Sequence, residues 1–125
     1  MESSMHTHDL QGYSYQDRQG LLPNLTSAFT QSGGWVLERK TISATSMEFR
    51  IEIQLHGIVE LYSSLVGTGL ELTRATHATL TALCNSRKHL ARSHQPGQLV
   101  SIRLGLSFLE DVTLHSLLMT GSGLA

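Results

Sequence analysis

From Met47 to Leu55 the chain alternates without interruption: Met47, Phe49, Ile51, Ile53 and Leu55 are apolar, and Glu48, Arg50, Glu52 and Gln54 between them are polar. A period of two puts the five apolar side chains on one face of a β-strand and the charged ones on the other. A helix would scatter that set around its circumference. The chain must therefore build a sheet with one dry face, and a second layer must cover that face. Gly33-Gly34 opens a preceding run from Trp35, and Ser43-Ala44-Thr45-Ser46 is a polar turn between the two, so the pair reads as a hairpin. A further strand repeats the alternation after the Pro96-Gly97 turn. Val100, Ile102, Leu104, Leu106 and Phe108 face one way, with Ser101, Arg103, Gly105 and Ser107 between them.

The covering layer is written in a different period. Leu21, Leu22, Leu25, Ala28 and Phe29 fall within about 120° at 100° per residue, one face of a three-turn helix ended by Gly33-Gly34. Pro23 fits the first turn of such a helix, where no intrahelical N–H is lost. Ile58, Leu61, Tyr62, Leu65 and Val66 form a second helix before Gly67-Thr68-Gly69. Thr76 to Leu90 is a third, with Leu80, Leu83 and Cys84 on one side. Leu70-Glu71-Leu72-Thr73 reads either as a short strand or as the entry to that helix. The expected architecture is α+β: a small, mostly antiparallel sheet of three or four strands with helices packed on one face. Residues 1–19 are expected to be a mobile arm, 20–112 a single domain and 113–125 a tail.

The hairpin with its flanking helices, helix–strand–strand–helix and a possible short strand over residues 21–73, resembles most of an ACT or ferredoxin-like module. The junction Ser32-Gly33-Gly34-Trp35-Val36-Leu37-Glu38 resembles the helix-to-strand step after the first helix of such modules. What the resemblance implies is a dimeric, non-enzymatic regulatory domain that binds a small metabolite at the subunit interface. As a likeness of fold it says little about function.

Composition narrows the classes further. A 125-residue chain with 40% hydrophobic and 15% charged residues is one globular domain. A single cysteine, Cys84, excludes an intrachain disulfide, and no apolar run reaches the roughly 20 residues of a membrane-spanning helix. The start of the chain lacks the pattern of a secretory signal, so a soluble, cytoplasmic protein is expected. Up to Glu71 there are eight acids and four bases. From Leu72 to Leu109 there are five bases (Arg74, Arg87, Lys88, Arg92 and Arg103) and no acid. The two halves either interleave in space and cancel, or leave an anion site or a self-complementary surface.

Few residues suggest chemistry. Tyr62, His77 and His56 are the acid–base candidates for a small enzyme of the dimeric ferredoxin-like type, with a pocket between sheet and helices. Arg87, Lys88 and Arg92 are the candidates for anion binding or an interface. Arg87 falls near 340° on a helix whose Leu80 is at 0°, in the middle of the apolar arc. Either the helix ends at Asn85-Ser86 or a guanidinium points coreward, where it needs a partner. Cys84 lies on the same arc and reads as a core residue. His6-x-His8-Asp9 has metal-ligand residue types but sits in the expected arm, which would have to be ordered first, so no metal is expected. No phosphate-cradling loop or cofactor motif is present, and no aromatic residue interleaves with the basic stretch. That argues against base-stacking recognition of single strands; an anion or nucleic-acid binder using the basic stretch 72–109 stays the third hypothesis. A homodimer is expected, because a small open sheet leaves edges to be covered.

Overall fold

The computed structural model describes residues 7–93 and 98–109, with the backbone alone for 88–93. Five strands and three helices follow in the order β1 (Thr7–Ser14), α1 (Arg18–Gln31), β2 (Trp35–Ser43), β3 (Ser46–Gln54), α2 (Ile58–Gly67), β4 (Glu71–Leu72), α3 (Arg74–Ser93) and β5 (Leu99–Phe108). A one-turn 3₁₀ segment, Leu55–Gly57, joins β3 to α2. The sheet order is β2-β3-β5-β1-β4. The α+β class expected from the sequence is present, but the sheet has five strands and one of its pairings, β1 with β5, is parallel.

The extra strand comes from the segment expected to be a mobile arm. Thr7–Ser14 pairs with β5 along its whole length, Leu10 lying opposite Leu104 and Gly12 opposite Leu106. Its apolar content is low because its inner face needs only small residues. Gly12 and Ser14 are buried beside Leu10, and a Cβ on Gly12 would already meet the Leu72 side chain at 3.3 Å. Helix α3 also holds β1. The Gln11 N–H donates to the buried Thr76 hydroxyl at 2.7 Å, and the Thr73 N–H donates to the Gln11 carbonyl. Leu70–Thr73 resolves in favour of a strand, two residues long and antiparallel to β1.

The helices pack on one face. Phe49, Ile51 and Ile53 of β3 and Ile102, Leu104 and Leu106 of β5 share one buried cluster with Leu25, Phe29, Leu61, Leu65 and Leu80, as the periodicities required. Phe29 and Phe49 meet edge-to-face at 5.6 Å. Helix α1 begins at Arg18 instead of Leu21, because the Asp17 side chain caps it by accepting the Gly20 N–H at 2.8 Å. Pro23 consequently sits in the second turn. At the other end, Gly33 takes φ 83°, the left-handed conformation that releases the chain into β2. Gly57 is needed for closeness: a Cβ there would stand 2.3 Å from the Ser32 carbonyl oxygen.

Candidate functional site

Cross-strand partners share a face, so the register lays out the helix-free side of the sheet as a grid. Glu38, Arg50, Arg103 and Asp9 form one row across β2, β3, β5 and β1. Lys40, Glu48, Gly105 and Gln11 form the next. Arg103 reaches Glu48 at 3.1 Å and Asp9 at 3.4 Å, and Arg50 lies 3.8 Å from Glu38. A shallow groove of about 390 Å³ runs over Gly105, walled by Gln11, Glu48, Arg103 and Ser107 and bounded by Ile42. The basic and acidic halves of the sequence interleave here. Two carboxylates already neutralise Arg103, so among the described residues the groove offers no free cation to an anionic ligand. Exposed pairs of this kind add little to stability.

Of the three acid–base candidates, the fold brings two together. Tyr62 on α2 and His77 on α3 share a hydrogen bond between the phenol and Nδ1 at 2.5 Å. His56, in the 3₁₀ turn, pairs instead with Gln54. The Tyr62–His77 pair lies on the outer surface of the helix layer and not between sheet and helices. It borders a shallow apolar depression formed by Val59, Tyr62, Ser63 and Val66. The pair is exposed, and among the described residues no third polar group is hydrogen-bonded to it. The hydrogen bond links α2 to α3.

Helix α3 runs on to Ser93, so the reading in which it ended at Asn85-Ser86 is overturned. Arg87 is accordingly half-buried on the apolar side, and its Nε is buried with no hydrogen-bond partner among the described residues. The side chains of Lys88 and Arg92 lie outside the described residues. Cys84 is half-buried against the core, and burial pushes its thiol pKa up while the nearby Arg87 charge pulls the other way. A raised pKa withholds the reactive thiolate. His8 faces the side of Ile102 and Asp9 the side of Arg103, so strand alternation separates two of the three metal-ligand candidates; His6 lies outside the described residues. No group of three His, Cys, Asp or Glu residues suited to a metal occurs among the described residues.

The outer edge strand shows the largest departure from an ordinary solvated surface. All nine residues of β2 are exposed, although its neighbour β3 is buried at every second position. Four of the seven large apolar residues exposed among the described ones are on it: Trp35, Val36, Leu37 and Ile42. Among the described residues nothing pairs with its outer edge. At the opposite edge, β4 is only two residues long, which limits strand addition there. No alternating apolar pattern marked β2 in the sequence; the signal was that Glu38-Arg39-Lys40 interrupts apolar residues on both sides.

No family model matches the chain, and no curated protein and no solved structure matches it.

Proposed function

We propose that this domain is a non-enzymatic interaction module that self-associates through the edge of β2, joining two sheets into one. The observation that carries this reading is a nine-residue edge strand, exposed throughout, with Trp35, Val36, Leu37 and Ile42 in water. Unpaired strand edges carry rows of N–H and C=O groups that template a further strand, and large exposed apolar residues favour covering them. The charged centre of β2 and its two register shifts, between Val36 and Glu38 and between Thr41 and Ser43, discourage indiscriminate pairing and so restrict which strand can add. A regulatory role for such a dimer is what the resemblance of residues 21–73 to ACT and ferredoxin-like modules implies, and it rests on that resemblance alone.

Light scattering on the full chain from 1 to 100 µM, concentrations chosen around the weak-to-moderate affinities expected of small interfaces, tests the reading. The mass should rise from 13.7 kDa toward twice that value. Leu37→Glu should return it to the monomer without altering the circular dichroism spectrum. A constant monomer mass, or a dimer indifferent to Leu37→Glu, overturns the proposal.

A further inference from the structure

Resting on the self-association through β2 proposed above, we infer that the two copies of β2 pair antiparallel with Arg39 on the two-fold axis, and that Glu38 and Lys40 select this register. In an isologous antiparallel pair, one residue lies opposite itself and all others pair symmetrically about it. An axis at Arg39 sets Glu38 against the partner's Lys40 twice and Leu37 against Thr41 twice, and it uses the whole strand from Trp35 to Ser43. The Glu38–Lys40 pairs lie on one face, because both residues share the helix-free side with Arg50 and Glu48.

The neighbouring registers are worse. An axis at Glu38 places two carboxylates opposite each other and Val36 against Lys40. An axis at Lys40 opposes two ammonium groups and sets Glu38 against Ile42. An axis at Leu37 pairs Val36 with Glu38 and falls on a register shift. An axis at Thr41 leaves Lys40 against Ile42 and Glu38 beyond the partner's strand. Like charges directly opposite are destabilising and unlike charges stabilising, so charge alone ranks the Arg39 axis first. The two register shifts bracket the regular stretch Glu38–Thr41, close to symmetrically about that axis. Its one unfavourable contact is Arg39 with its own copy, and a long exposed arginine can swing its head into water.

The register has a consequence that no other shares. Glu38→Lys gives a chain positive at both 38 and 40, and Lys40→Glu gives one negative at both. Each should self-associate at least tenfold more weakly than the unmodified chain, while an equimolar mixture should form a heterodimer in which all four charges are paired. Light scattering on each variant and on the mixture reads this directly. Arg39→Thr, which leaves the intrachain ion pairs alone, should tighten self-association severalfold and covers the case in which a charge reversal unfolds the chain. If the unmodified chain dimerises and Leu37→Glu breaks that dimer, but the mixture gains no mass and Arg39→Thr weakens association, the register is overturned and the self-association stands. A monomeric unmodified chain overturns both, including one whose β2 amides prove to be covered within the same chain.

Discussion

Truncating Leu10 to Ala tests whether residues 7–14 belong to the folded domain. Leu10 is 3% exposed, lies opposite Leu104 in the parallel pairing with β5, and belongs to the buried cluster. Its neighbour across the strands, Leu104, is completely buried, and backbone hydrogen bonds fix both strands, so the site cannot collapse readily around a missing side chain. Leu→Ala at closed sites costs about 2–5 kcal/mol, part lost transfer energy and part residual cavity. Against a total stability of about 5–15 kcal/mol, the middle of that range removes a large fraction. For a domain of this size each kcal/mol moves the melting temperature by about 3–6 °C, so a drop of about 10–20 °C is expected. Urea denaturation separates the causes: the midpoint should fall with an unchanged slope, since the same surface is exposed on unfolding. A change below about 0.5 kcal/mol, the range of ordinary surface substitutions, would mean that β1 does not dock and that residues 7–14 form an arm.

The other predictions use the same assays. Gly57→Ala should cost about 1–3 kcal/mol because its Cβ would meet the rigid Ser32 carbonyl. Gly105→Ala should cost little, because its Cβ would meet the end of the Gln11 side chain, which can move; equal costs at the two sites would contradict the packing described. Arg87→Met should be neutral or stabilise by up to about 1 kcal/mol, since it removes a buried Nε without a partner among the described residues and keeps the stem's packing; a loss above 1 kcal/mol would mean that the guanidinium holds a partner. The hydrogen bond to Glu71, then its charge, raises the Tyr15 pKa. A phenol whose folded pKa is raised contributes stability that is present below its unfolded pKa, near 10, and lost as pH rises through the folded value. Glu71→Gln should bring the Tyr15 ultraviolet titration back toward ordinary, and an unmoved titration would refute the assignment.

The core was legible in the sequence because each buried element spans enough residues to display its period. Met47–Leu55 and Val100–Phe108 specified two central strands, and their buried faces are those the alternation named. β1 is marked in the sequence only by the short Tyr13–Tyr15 alternation at its end, because it buries Leu10 with Gly12 and Ser14, and small inner residues leave no apolar period. The parallel pairing is hidden with it: without β1, β5 has a partner only in β3. Tyr62 and His77 lie 15 residues apart in the sequence, and only the packing of α2 on α3 brings them together. His56 had no such neighbour to find. The sequence marks β2 as one half of a hairpin, but its exposure depends on which strands stand beside it, a property of topology and not of its own nine residues.

Hydrogen exchange in β2, followed as the full chain is concentrated, tests the central claim most directly. At high dilution the outward-facing amides of 35–43 should exchange as unpaired groups. At high concentration their exchange should slow, with the change confined to β2 and absent from β4 and the outer surface of α2. Protection that does not vary with concentration, or that appears on another element, would contradict an interaction module built on this edge.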